Sequence, residues 1–284
     1  MNLLITGAWS TAKEHIAELE RMGHRIGFLQ QEKDELPCPY DWAEGVICNG
    51  LFLYHPIEKF TNLKYIQLTS AGFDRVPMDY VEANGIEIHN ARGVYGIPMA
   101  EFAVAGVLAL YKKLRTFAEN QRQHKWEKQR DLLELFGRKV CIVGCGDVGA
   151  ECAKRFRAFG CEVTEVHRDL ANLDAELARA DIVIVTIALT ERTRHLISGA
   201  RLALLKNTAV LVNIARGAVI DTAALIDALP HLGGAVLDVF EEEPLAENSP
   251  LWDMENVIVT PHNSFVGDGD EERLTECVMG KLGK

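Results

Sequence analysis

At 284 residues the chain has room for two domains of about 150 residues each. An apolar fraction of 48% is ample for packed cores and excludes intrinsic disorder. A formal charge of −11 repels nucleic-acid backbones and anionic lipid, so neither nucleic acid nor a membrane is an expected partner; a local basic pocket for a small anion is compatible with it.

The opening Met1-Asn2-Leu3-Leu4-Ile5-Thr6-Gly7 lacks a basic n-region and reads as a first strand, not as an export signal. Residues 11–22 have helical periodicity, and 25–29, 45–48 and 65–68 read as strands. A helical stretch at 78–83 leads into a further strand at 86–89. This βαβ rhythm predicts a parallel sheet with helices on its faces. The turn Thr6-Gly7-Ala8-Trp9-Ser10 has one glycine only and reads as a plain strand–helix connection.

Residues 98–115 are rich in Ala, Leu and Val and predict one long buried helix, crossing between domains or subunits. Residues 119–130 predict a charged, solvated helix in which Trp126 stands as a candidate dimer anchor. A second βα series then begins, with strands at 139–143, 162–166, 182–187, 209–214, 235–239 and 257–260. Helices are expected at 151–159, 175–180, 199–205 and 222–229, and a last short one at 274–282 returns to the first unit. The second unit is therefore expected as a complete doubly wound domain, residues 93–262, inserted in a first domain made of 1–92 and 263–284.

The seven cysteines are odd in number and contain no Cys-x-x-Cys, so no zinc ribbon, redox pair or other metal site is expected. Cys141 and Cys145 read as small core residues. Thiols without an export signal fit the reducing cytoplasm.

Gly144-Cys145-Gly146-Asp147-Val148-Gly149 follows a strand and opens a helix, which is the context a dinucleotide fingerprint requires. Gly144 permits the tight turn, Gly146 removes the side chain that would strike a pyrophosphate, and Gly149 lets helix and strand pack closely. The helix N-terminus offers its N–H groups and dipole to the phosphates. An acid normally ends the next strand and binds the ribose 2′-hydroxyl, but His167-Arg168 stands there instead. An arginine at that place suits a 2′-phosphate, so the reading leans to NADP; a shifted register would make Glu165 the ribose ligand and restore NAD. The expected cofactor contacts are Gly144, Gly146, Asp147, Val148, Gly149, His167, Arg168, Ile187, Ile214 and Ala215. Asp238, at a strand end, is either a cofactor contact or a support behind one.

Three later segments end β-branched runs with reactive groups: Asn213-Ile214-Ala215-Arg216-Gly217, Leu237 to Pro244, and Thr260-Pro261-His262-Asn263. In an open α/β sheet ligands sit beyond the carboxyl ends of strands. Arg216 there can hold a carboxylate by two parallel bonds or sit beside an oxygen gaining charge. His262 is the candidate proton donor and acceptor, because imidazole is the side chain suited to proton transfer near neutrality. A carboxylate from the run Glu241-Glu242-Glu243 would orient it, and Glu243 is the candidate.

Together these residues resemble the D-isomer-specific 2-hydroxyacid dehydrogenases. The resemblance takes in Ser70-Ala71-Gly72-Phe73-Asp74, Asn90-Ala91-Arg92-Gly93 and Ala100-Glu101 and covers nearly the whole chain. It implies a Rossmann-type nucleotide domain inserted in a flavodoxin-like substrate domain, a cleft between them, and a homodimer through the long-helix region. It maps an Arg–Glu–His triad onto Arg216, Glu243 and His262. It also implies that Ser70, Ala71 and Gly72 contact the substrate carboxylate. The chain departs from the family pattern in having Ala188 where a proline is usual, no ribose acid, and a shortened stretch from Arg168 to Leu177. The leading expectation is an NAD(P)-dependent enzyme that transfers hydride between nicotinamide and a small 2-oxo or D-2-hydroxy acid. The alternative is a non-catalytic NAD(P)(H)-sensing scaffold of the same fold.

Overall fold

The central strands are short and almost wholly apolar, the pattern of parallel sheets covered on both faces. In the computed structural model, which describes residues 1–283, two such sheets form. They belong to two compact units: Met1–Tyr95 with the segment from Gly267 onward, and Gly96–Val266. Both edges fall a few residues later than 92/93 and 262/263. Val94 is buried in the first unit's core, and its carbonyl accepts from Arg273 Nε at 2.7 Å. The N–H groups of Asn263 and Ser264 donate to Asp238, which keeps them with the second unit.

The first unit contains β1 (Asn2–Thr6), α1 (Ala12–Arg21), β2 (Arg25–Leu29), β3 (Gly45–Cys48), β4 (Tyr65–Leu68), α2 (Met78–Ala83) and β5 (Glu87–His89). The strands are parallel in the order β2-β1-β3-β4-β5, the flavodoxin-like order. Alternation along each strand divides the core in two. Leu3, Ile5 and Ile47 face Trp9, Leu19 and Val278, while Leu4, Val46, Ile66 and Leu68 face Phe60 and Val81. The final helix, Asp270–Leu282, packs here through Leu274 and Val278. It starts earlier than expected, because Asp270, Glu271 and Glu272 complement the dipole of its first turn.

The second unit begins with α3 (Gly96–Tyr111) and α4 (Leu114–Arg122). The single helix expected at 98–115 is thus broken, with Lys113 in the left-handed region at φ 50°. The buried residues of α3, among them Ala100, Ala103 and Val107, pack into this unit's own core. A Cβ on Gly106 would stand 2.7 Å from Val236, so glycine is what lets α3 lie on the sheet. The helix expected over 119–130 stops at Arg122, and His124, at φ 53°, turns the chain out of it. Trp126 follows in irregular backbone and is 96% exposed.

The sheet of this unit uses β6 (Lys139–Val143), β7 (Glu162–Val166), β8 (Ile182–Val185), β9 (Val210–Asn213), β10 (Gly234–Leu237) and β11 (Val257–Val259). Helices α5 (Asp147–Ala158), α6 (Leu173–Arg179), α7 (Gly199–Leu202) and α8 (Thr222–Ala228) connect them. The parallel order is β11-β10-β9-β8-β6-β7. Val140 and Ile142 look to one core, Cys141 and Val143 to the other. A Rossmann sheet of order 3-2-1-4-5-6 would carry one more strand outside β7. Here residues 167–172 form only a turn before α6, so β7 is the edge. The strand order still reverses at β6, where a doubly wound sheet opens its ligand crevice. No helix among the described residues is long and apolar enough to cross a membrane.

Candidate active site

The turn from β6 into α5 is built by its glycines. Gly144 has φ 103°, and a Cβ there would stand 2.6 Å from the backbone of Ile187. A Cβ on Gly149 would stand 2.1 Å from the Gly144 carbonyl oxygen. Around Gly146, by contrast, no atom of the described residues beyond its immediate chain neighbours and the helix's own backbone lies within 4 Å of a Cβ position, so the glycine keeps open space at the helix start. No side chain caps α5. The Asp147 carboxylate lies against Gly96, since a Cβ built on that glycine would meet Asp147 Oδ2 at 2.7 Å. What Asp147 and Val148 bring to the turn is therefore backbone at a helix N-terminus. These features fit a dinucleotide pyrophosphate.

β7 pairs with β6 in a register that sets Val166 beside Val143 and Glu165 beside Ile142. Glu165 therefore lies within the ladder, and His167 and Arg168 follow the strand end, both exposed. Glu165 is held by Arg157, whose Nη2 donates to Oε1 at 2.7 Å. Cys145 is only half-buried and is not the core residue expected. Burial and the neighbouring Glu165 carboxylate push its thiol up to about 11. Ile187, Ile214 and Ala215 lie beyond the ends of β8 and β9 and are nearly enclosed.

The three proton- and charge-handling groups come from the carboxyl ends of three neighbouring strands, β9, β10 and β11. Arg216 follows β9. The buried Asn213 accepts from the Ala215 N–H at 3.1 Å and donates to the Arg216 carbonyl at 3.1 Å, which fixes the arginine's backbone. Gly217 comes next, and a Cβ on it would stand 1.8 Å from the Phe240 carbonyl carbon. The arginine turn thus abuts the loop that follows β10. In that loop Glu243 accepts the Phe240 N–H through Oε1 at 3.0 Å and meets His262 Nδ1 through Oε2 at 2.8 Å. A carboxylate can only accept, so Nδ1 carries the proton and Nε2 is the basic nitrogen. His262 itself sits at φ 52°, an uncommon backbone state for a non-glycine residue. Its N–H donates to the Asp238 carbonyl at 2.8 Å, and its ring packs edge-on to Phe265.

Two supports stand behind these groups, and the role of the second, Glu241, escaped sequence reasoning. Asp238 is fully buried, and its carboxylate accepts from Thr260 Oγ1 and from the N–H groups of Asn263 and Ser264 at 2.7–2.9 Å. Of its two expected roles, this geometry serves support: it clasps the histidine loop. Glu241 accepts from the Thr222 N–H at 2.9 Å and pairs with His195 Nε2 at 2.7 Å, which braces the loop carrying Glu243. Burial raises the Glu241 pKa, but the bonds from His195 and Thr222 outweigh it and leave the carboxyl below its ordinary value. Its place in an acidic run concealed this, because such runs are usually solvated turns.

Ser70, Ala71 and Gly72 follow β4 in the first unit. Their carbonyls are engaged locally: Ser70 by the Ala91 N–H at 2.9 Å, Ala71 by Asn90 Nδ2 at 2.6 Å and Gly72 by Ser70 Oγ at 3.2 Å.

A glycine turn at the reversal of a doubly wound sheet, with a carboxylate-backed histidine and an arginine at neighbouring strand ends, defines a nicotinamide-dependent oxidoreductase. Residues 104–264 match the D-isomer specific 2-hydroxyacid dehydrogenase, NAD binding domain family. A glyoxylate reductase from Thermofilum pendens is 34% identical over 241 residues, covering 78% of this chain and 71% of that one. A D-lactate dehydrogenase from Aquifex aeolicus, solved with NAD and lactic acid, is 25% identical with a TM-score of 0.81, covering 99% of this chain and 94% of that one. A D-isomer specific 2-hydroxyacid dehydrogenase from Xanthobacter autotrophicus Py2, solved with NADPH and MES, is 27% identical with a TM-score of 0.77 at the same coverage. The chain belongs to the D-isomer specific 2-hydroxyacid dehydrogenases. It is an enzyme that uses a nicotinamide cofactor to interconvert 2-oxo and 2-hydroxy acids.

Proposed function

We propose that this enzyme reduces a small 2-oxo acid of the glyoxylate class to its D-2-hydroxy acid with NADPH as the preferred donor. The observation that carries the reading is the His262–Glu243 contact at 2.8 Å, one strand end from Arg216's neighbouring loop. The nicotinamide supplies the hydride when bound. Arg216 holds the substrate carboxylate and polarises the carbonyl, since a guanidinium is always charged and forks two bonds. For reduction His262 acts as the imidazolium, giving its Nε2 proton to the new alkoxide and keeping the Nδ1 proton donated to Glu243. Glu243 keeps the ring in the tautomer and orientation this transfer needs and stabilises the imidazolium. Ser70, Ala71 and Gly72 are assigned to the substrate carboxylate through their backbone N–H groups. Asp238 positions the histidine loop.

Gly144, Gly146, Gly149 and the N–H groups of Asp147 and Val148 hold the pyrophosphate, with Ile187, Ile214 and Ala215 as apolar walls. The preference for NADP rests on the register of β7, which leaves Glu165 inside the ladder and paired with Arg157. Arg168, past the strand end, then takes the 2′-phosphate, with His167 beside it. Trp126 and Phe136, 96% and 79% exposed, favour burial in a homodimer. Seven free thiols, four of them buried, favour the reducing cytoplasm.

The test is oxidation of NADPH and NADH at neutral pH with glyoxylate, hydroxypyruvate, pyruvate and phosphohydroxypyruvate side by side. Turnover with NADPH well above NADH supports the full reading. Turnover with NADH alone keeps the reaction and removes the phosphate role of Arg168. Binding of cofactor without turnover on any of these acids overturns the substrate class.

A further inference from the structure

We propose that Cys145, Glu165 and His167 form a site for a thiophilic divalent cation, for which zinc(II) is the best match, and that this cation and the dinucleotide exclude one another. Each residue offers one ligand atom, and these atoms all lie within 4.8 Å of one another. The juxtaposition follows from the sheet. Residues 165 and 167 are two apart, so side-chain alternation carries them toward the same face at the end of β7. Cys145 stands in the turn after β6, and its Sγ donates to the Val166 carbonyl between them at 3.5 Å.

The chemistry suits zinc better than magnesium or calcium, which take oxygen ligands. One sulfur, one imidazole and one carboxylate make a three-ligand set with a fourth position for water. Ligand atoms bound tetrahedrally to one zinc lie about 3.4–3.6 Å apart, given its ordinary bond lengths. The cluster must therefore contract by about 1 Å, which rotation of the exposed His167 side chain can supply. Arg157 bonds Glu165 through Oε1, so Oε2 can turn to the metal without breaking that pair. Coordination forms a sulfur–zinc bond and releases the thiol proton to solvent, with no change in oxidation state.

The exclusion rests on the dinucleotide reading above, because His167 and the residue after Gly144 border the turn assigned to the cofactor. An ion held there occupies the place of the nucleotide's ribose, so zinc should raise the apparent KM for NADPH and leave kcat unchanged.

The experiment uses the reduced, cofactor-free enzyme and cobalt(II) as the spectroscopic probe, followed by zinc(II) calorimetry. The expected result is one ion per chain, a thiolate-to-cobalt charge-transfer band, and a loss of affinity of about tenfold or more in Cys145→Ser and in His167→Ala. The band in the unmodified protein reports thiolate ligation even where a variant fails to fold. Absence of the band, or undiminished binding in folded Cys145→Ser, overturns the site. NADPH fluorescence titration separates the two readings. If NADPH binds but does not displace the ion, the exclusion falls and the dinucleotide turn stands. If NADPH does not bind to metal-free enzyme, the dinucleotide reading fails, while the metal site is still judged by its variants.

Discussion

The two sheets start alike: β2-β1-β3 and β7-β6-β8 both reverse direction at the first strand and send it into a helix. What fills the two crevices differs. In the first unit a Cβ on Gly7 would stand 2.3 Å from the Gln30 carbonyl oxygen, and Trp9 is fully buried with its indole N–H on Thr275. The strand ends there have their own anion. Glu32 accepts the N–H groups of Asn49 and Gly50, each at 2.6 Å, and the Thr6 hydroxyl at 2.9 Å. In the second unit Gly146 faces open space at the start of α5. One topology thus supports a plugged crevice and an open one, which is why function must be argued from side chains and not from the fold.

If chemistry resides in the second unit's strand ends, His262→Ala should cut kcat/KM by about 100- to 10,000-fold without loss of folding, as loss of a general acid does. Near-normal turnover in a folded variant would remove the histidine from the mechanism. Glu243→Gln should have a smaller effect on the same constant, because the amide oxygen can still accept from Nδ1. Next in size, Arg168→Ala should weaken NADPH binding about 10- to 150-fold, the worth of hydrogen bonds to a charged group, and spare NADH. Equal loss for both cofactors would show that Arg168 does not read the 2′-phosphate.

The comparison itself is sharpest in a pair of matched substitutions. Gly7→Ala should cost stability, about 1–3 kcal/mol by melting, because its methyl meets backbone. Gly146→Ala should leave the melting temperature alone and weaken cofactor binding, since its methyl meets only open space. The reverse pattern would mean that the crevices have been misassigned.

The smallest effect belongs to Glu241. Its folded pKa lies below the ordinary 4.5, so the unfolded chain binds the proton more readily. The stability it contributes is complete above that value and disappears as pH falls through the lowered folded pKa. Acid melting curves of Glu241→Gln should therefore be flatter than those of the parent in that window, with the two chains differing most above it.

Much of this was legible in the residues because strand and helix periods are local properties. β2, β3, β4, β6 and β7 have the bounds that strand propensity and the flanking turn residues predict. The glycine turn was legible for the same reason, since a fingerprint records steric demands made within a few residues. The broken α3–α4 helix was not, because nothing in its Ala- and Leu-rich composition reveals that Lys113 adopts a left-handed backbone. The end of α4 at Arg122 was hidden likewise.

The sequence by itself determined the class of chemistry, since a glycine turn, an arginine, a carboxylate and a histidine at strand ends can be recognised one segment at a time. Only the tertiary structure decided which glutamate meets His262 and which braces the loop behind it. It also set Glu165 inside the ladder beside Arg157 and brought Cys145 to His167. Those are pairings between residues distant in the chain. Their partners are chosen by strand register and loop packing, which no local pattern encodes.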